Sequence, residues 1–152
     1  MTRINLVNPD LLTARHLVAE YKELTQIIFP MTRTASKGSL HTVEIPEKYC
    51  LDGGHVKFFY DKGYYLEKRF RDLYDNMNER GINTDKDNFE KRLEKIQTSF
   101  PGVWYNDYEP DDEAYQIAIE RIKSRILQKP DLYPDRHHFL THCNHSIYYR
   151  WH

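Results

Sequence analysis

Apolar residues recur at helical spacing in four stretches of the chain, separated by segments rich in proline, glycine and charge. In the first stretch Leu11, Leu17, Val18, Tyr21, Leu24 and Ile28 fall on one side of a helix. Asn8 suits its N-cap, Pro9 its first position and Asp10 the positive end of its dipole, so the helix is predicted to begin there. The opposite side collects Arg15, His16, Ala19, Lys22, Glu23 and Gln26, a carboxylate among cations. By spacing alone such a face is an ordinary solvated surface.

Residues 30–54 hold Pro30, Gly38, Pro46 and the Gly53-Gly54 pair without sustained periodicity, which predicts an irregular connection. Arg33 and Lys37 there are as well explained by a solvated loop as by contact with a phosphate backbone. A second helix is predicted from His55 to Arg80 on Val56, Phe59, Leu66, Phe70, Leu73 and Met77, with Gly81 as its stop. Gly63 sits in a gap of that stripe, where it costs about 1 kcal/mol of helix stability and leaves room for another backbone. The amino-terminal arm is the expected neighbour. His55, at the helix entrance, is expected to cap or pack rather than to catalyse.

A shorter helix over 85–100 rests on Phe89, Leu93 and Ile96, and its alternating charges suggest a solvated outer face. The last strong pattern places Tyr115, Ala118, Ile119, Ile122 and Ile126 on one stripe, opened by Pro110, Asp111, Asp112 and Glu113 and closed by Pro130. Arg121 and Arg125, four apart on the border of that stripe, can face one phosphate track or simply bridge to surface acids. The pattern as a whole predicts an all-α, compact single domain. Three main helices carry it, joined by irregular loops and preceded by an extended amino-terminal arm.

Composition narrows the function classes. With 152 residues, 39% hydrophobic and 30% charged, the chain has the make-up of a soluble domain able to bury a core. No apolar run approaches the ~20 residues of a membrane span, and the start lacks a secretory pattern, so a cytosolic location and no membrane partner are expected. Cys50 and Cys143 are too few for a disulfide framework and read as free thiols. The net charge of −1 argues against nucleic acid, but it is unevenly spread. Residues 1–40 hold five basic and three acidic groups, residues 114–152 six and three, and residues 85–113 four and nine. Both ends of the chain are positive.

The runs MTRINLV, HLVAEYKEL and GGHVKFFYDK, and later DYEPDDEAYQIAIERIKSRILQKP, together resemble the phage-type pyrimidine-dimer DNA glycosylases with AP-lyase activity, the endonuclease V family. The resemblance covers residues 1 to about 81 almost without gaps and resumes over the last of these runs; the 85–100 region is longer by a few residues. It implies that Met1 is removed and that the Thr2 α-amine attacks C1′ of a damaged nucleotide, displaces the base and leaves an imine to the sugar. Glu23 is implied as the carboxylate that promotes strand cleavage by β-elimination, and Arg3, His16, Lys22, Arg121 and Arg125 as groups that hold DNA. An α-amine titrates near ~7.7, and the adjacent Arg3 favours its neutral, nucleophilic form. One family arginine falls on Gln26, and Lys22 stands where the family has an arginine, so a charge and a guanidinium fork are lost beside the reaction centre. The implied partner is damaged double-stranded DNA, acted on by a monomer with no cofactor, in a phage- or bacterium-type intracellular setting.

After residue 133 the resemblance fades, and residues 134–152 are expected to form a His- and aromatic-rich tail behind a helical domain of residues 1–133. Tyr148, Tyr149, Arg150 and Trp151 could stack on bases and meet phosphates. Five of the eight histidines and Cys143 lie in this tail, but their spacing matches no familiar zinc pattern, and no metal is expected. Protonation of these histidines below pH 6.5 is expected to tighten DNA binding. Two alternatives stay open: the same imine chemistry on another damaged or modified base, and a non-catalytic binding module of the same fold.

Overall fold

The computed structural model describes residues 2–144, and the expected aromatic contacts of Tyr148 to Trp151 lie outside them. Among the described residues the protein is all-α: α1 Ala14–Glu23, α2 Ile28–Ala35, α3 His55–Phe58, α4 Gly63–Glu79, α5 Lys86–Ser99, α6 Asp112–Gln128 and α7 Arg136–His142. The pairing of Lys62 with Tyr105 is an isolated β-bridge. Helix α4 lies at the centre, packed against α1 on one side and α5 on the other. Its stripe of Leu66, Phe70, Leu73 and Met77 is buried against Leu17, Tyr21 and Leu24 of the first helical segment and Leu93 and Ile96 of α5. The stripe of α6, from Tyr115 to Ile126, joins the same core.

The first helix starts later than its composition suggests. Asn8 does accept from Asp10 N, but it caps only a 3₁₀ turn, Pro9–Leu11. The α-helix begins at Ala14, where the Thr13 side chain accepts from His16 N and Asp135 Oδ2 accepts from Ala14 N at 2.7 Å. Both caps meet the helix's positive end, and the second comes from over a hundred residues away, so local sequence could not reveal it. The helix also does not stop at Ile28. A 3₁₀ turn, Leu24–Ile27, links α1 to α2, which contains Pro30 in its first turn, where a proline ring needs no hydrogen-bond donor. Residues 30–35 are therefore helical rather than irregular.

The predicted helix over 55–80 is two helices. It turns at residues 59–62 and restarts at Gly63. A Cβ on Gly63 would lie 2.6 Å from Phe100 Cγ and 2.9 Å from Tyr105 Cδ2, so the neighbour that needs the bare backbone is the 100–105 loop and not the amino-terminal arm. At the far end Gly81 takes φ 71, with Gly81 N donating to Asn78 O and Ile82 N to Met77 O, the pair of bonds that closes a helix on a left-handed residue. Helix α5 spans its predicted residues from an Asp85 cap. Its outer face is not wholly solvated, because Arg92 reaches inward over the rings of Tyr21 and Phe70, at 4.6 and 4.8 Å. There its Nη2 donates to Tyr21 O and Lys22 O, satisfying carbonyls at the negative end of α1. Beyond residue 133, Phe139 of α7 and Cys143 at its C-cap are buried in the core.

Candidate active site

The amino-terminal arm, residues 2–8, has no regular structure of its own and is held by buried polar groups. Tyr49 Oη donates to Ile4 O at 2.7 Å, and Ile4 N donates to His55 Nε2 at 2.9 Å. A backbone N–H can only donate, so His55 Nε2 must accept, and the ring is neutral with its hydrogen on Nδ1, directed at Cys50 O 2.7 Å away. Burial is the main reason that the His55 pKa falls to about 4. His55 is thus a packed histidine, as the sequence suggests, with a specific task of tethering the arm.

One residue further on, Asn5 N and Nδ2 both donate to Glu20 Oε1, at 3.1 and 2.8 Å. Glu20 is also gripped by Arg69, whose Nε lies 2.6 Å from Oε2 and whose Nη2 lies 3.0 Å from Oε1. Arg69 Nη1 donates in turn to Leu6 O and Val7 O. Burial disfavours the Arg69 charge, yet the Glu20 carboxylate outweighs it and raises the proton affinity. Between these anchors Val7 N donates to Asn5 O at 2.6 Å around Leu6, whose φ is 61. A three-residue turn centred on a left-handed leucine is strained by about 1–2 kcal/mol. The Leu6 side chain, fully buried, and the two Arg69 bonds hold it in place.

This clamp aims the arm's first residues at the end of α1. Thr2 Oγ1 donates to Glu23 O at 3.4 Å and to Gln26 Oε1 at 3.3 Å. Three of the residues singled out from the sequence, Thr2, Glu23 and Gln26, are therefore neighbours, with Glu23 half-buried and Gln26 exposed. Lys22 is exposed one helical turn before Gln26. The arrangement puts an amino-terminal residue against a helix end that carries a carboxylate.

Cations converge beside it. Arg121 Nη1 donates to Asn5 Oδ1 at 3.3 Å, and its proton affinity is lowered first by burial and then by the charges of Arg3 and Arg125. His16 faces the same group. Burial and the charges of Arg121, Arg125 and Arg15 outweigh the opposing pull of Asp135 and bring its pKa to about 4. The solvated position expected for His16 on α1 is overturned: its ring is 8% exposed, hydrogen-bonded through Nδ1 to Thr13 Oγ1 and stacked on Tyr133 at 4.8 Å.

Sequence reasoning missed Glu20, Tyr49, Arg69 and Arg92, none of which it placed. A signal existed for two of them. Glu20 lies three after Leu17 and four before Leu24, and Arg69 three after Leu66 and four before Leu73, so opposite charges stand on two apolar stripes. Among the described residues no three His, Cys, Asp or Glu side chains converge as a metal site, and no helix is long and apolar enough to cross a membrane.

The helical scaffold thus pins an irregular amino-terminal arm against the end of α1, with Arg3, Arg121 and Arg125 close enough to act on one another's charge. A model of the pyrimidine dimer DNA glycosylase family matches residues 1–90, and the chain belongs to that family of DNA-repair glycosylases. The match takes in Thr2, Arg3, His16, Lys22, Glu23 and Gln26. Arg121 and Arg125 lie beyond it; the Asn5 bond and the electrostatics at His16 bring them to the same place.

Proposed function

We propose that the protein excises one base of a cyclobutane pyrimidine dimer and then nicks the abasic strand, through an imine formed by the Thr2 amine. The observation that carries this reading is the contact of Thr2 with Glu23 O and Gln26 Oε1, reached by an arm that Glu20, His55 and Arg69 fix. After loss of Met1 the neutral amine adds to C1′, the C1′–N bond breaks, and its electron pair leaves with the base, which takes up a proton. The added amine loses its proton, the C1′–O4′ bond breaks with O4′ taking up a proton, and the opened sugar is left as an imine between C1′ and the Thr2 nitrogen. Removal of a proton from C2′ then expels the 3′ phosphate by β-elimination, and water finally releases the amine from the cleaved sugar.

Glu23, whose backbone carbonyl Thr2 meets at the end of α1, is the carboxylate assigned to carry those protons, and a general acid–base contributes roughly 10²–10⁴-fold. Arg3, Lys22, Arg121 and Arg125 hold phosphates, and Gln26 contributes a polar contact where a charge is absent. His16, neutral above about pH 4, packs the border of this surface instead of carrying charge to it. The protein acts on double-stranded DNA as a monomer, and the imine itself accepts the electrons that a cofactor would otherwise take.

Borohydride trapping tests the reading. Protein verified by mass to lack Met1 is offered duplexes with a thymine dimer, an abasic site or no damage. A covalent adduct mapped to Thr2 is expected on the first two, and Glu23→Gln is expected to bind but to lose nicking. An adduct on the abasic site alone would point to another base target, and no adduct on either would point to a binding module.

A further inference from the structure

The 3₁₀ turn and α2 present an aromatic ring that the core does not use. Phe29 is 67% exposed, while its neighbours Ile27, Ile28 and Met31 are buried. Phe29 lies in the first turn of α2, three residues after Gln26, and side chains three apart on a helical surface are neighbours, so the ring stands beside the residue whose Oε1 accepts from Thr2 at 3.3 Å. The Arg33 guanidinium lies over one face of the ring, 4.6 Å from its centroid. That contact fixes the ring's direction and adds a cation at its side. An exposed phenylalanine is thereby held about one helical turn from Gln26, the side chain that Thr2 touches, in a protein of a DNA-glycosylase family.

An enzyme that works on C1′ must take a nucleotide out of the stack and leave a gap. Apolar side chains are the usual means of occupying a parted base step. We propose that Phe29 is a wedge: its ring enters the base stack beside the attacked nucleotide and fills the space of a displaced base, with Arg33 against the flanking phosphate. This rests on the assignment of Thr2 and its surroundings as the reaction centre. Phe29 acts by positioning DNA and takes no part in bond making.

The test is binding to a duplex with a single tetrahydrofuran residue, an abasic gap that no amine can attack, against the same duplex intact. Fluorescence anisotropy is measured for wild type, Phe29→Ala and Phe29→Trp, with circular dichroism melts to compare their folds. Phe29→Ala is expected to bind the gapped duplex about tenfold more weakly and the intact duplex as wild type does, while Phe29→Trp keeps wild-type affinity for both. Equal affinity of Phe29→Ala and wild type for the gapped duplex overturns the wedge, and so does an equal loss on both duplexes. A Thr2 adduct with Phe29-independent binding would leave the imine reading standing without the wedge. Phe29-dependent gap binding with no adduct would do the reverse.

Discussion

The position of Thr2 depends on Glu20 and Arg69, two side chains buried beneath the arm. Both are essentially excluded from solvent, and each satisfies the other while their spare bonds go to the arm. Removing one charge from such a pair leaves the other buried and uncompensated, at a cost of about 3–5 kcal/mol. Glu20→Gln is therefore expected to lower the urea midpoint and abolish trapping together. The double variant Glu20→Met, Arg69→Met separates the two effects: it should recover much of the stability, because two apolar side chains need no partner. It should not recover trapping, since Asn5, Leu6 and Val7 lose their anchors. Trapping at wild-type rate by the double variant would remove the clamp from the argument. The roles expected of Thr2 and Glu23 came from resemblance, and the residues that bring them together could only be suspected, as charges on the apolar stripes of their helices. A hydrogen bond from Tyr49 to Ile4 leaves no trace in a periodic pattern, because it joins two segments that have no period.

At the scale of elements, the apolar stripes of α4, α5 and α6 were legible, because an apolar side chain repeated at period 3.6 faces the core it helps to build. The breaks were not. Phe59 and Leu66 carry the helical rhythm across residues 59–62, where the backbone turns, since a change of direction can keep both ends of a stripe on the same core. Gly63 was noticed as a gap without its cause, the loop that passes over it. Gly63→Ala should lower stability by about 1–3 kcal/mol, as overpacking does, even though alanine is the better helix former. Gly53→Ala, at a position with nothing within 4 Å of the added carbon, should stay close to wild type. Equal melting temperatures for the two variants would show that the 100–105 loop yields freely. Pro30 misled in the other direction: it reads as a breaker, but in the first turn of α2 it has no intrahelical bond to lose.

For the whole molecule, acid is the condition to which this design is most exposed. His16 and His55 have folded-state pKa values of about 4 against an ordinary 6.5, so between those pH values the unfolded chain binds two protons that the folded one refuses. Asp72 works the other way: burial raises it from 3.8 to about 6, and the folded state holds one extra proton over that range. Two protons outweigh one, and the partial exposure of Asp72 weakens its share further. Stability is therefore fully present above pH 6.5 and should fall as the pH drops towards 4, by a total on the order of 3 kcal/mol. Urea midpoints at pH 7.0, 5.5 and 4.5 should decline in that order; a flat or rising series would contradict the account. Protonation of His55 also puts a hydrogen on Nε2 against Ile4 N, so the arm should come loose before the core does. The same tethers have a bearing on biosynthesis. A ribosome delivers Ile4, Asn5, Leu6 and Val7 long before Tyr49, His55, Arg69 and Arg121, the residues that hold them. An unfinished chain carries Thr2 with nothing to direct it, and the arm takes its full set of anchors only in a copy that has been translated past residue 121 and folded back on its own beginning.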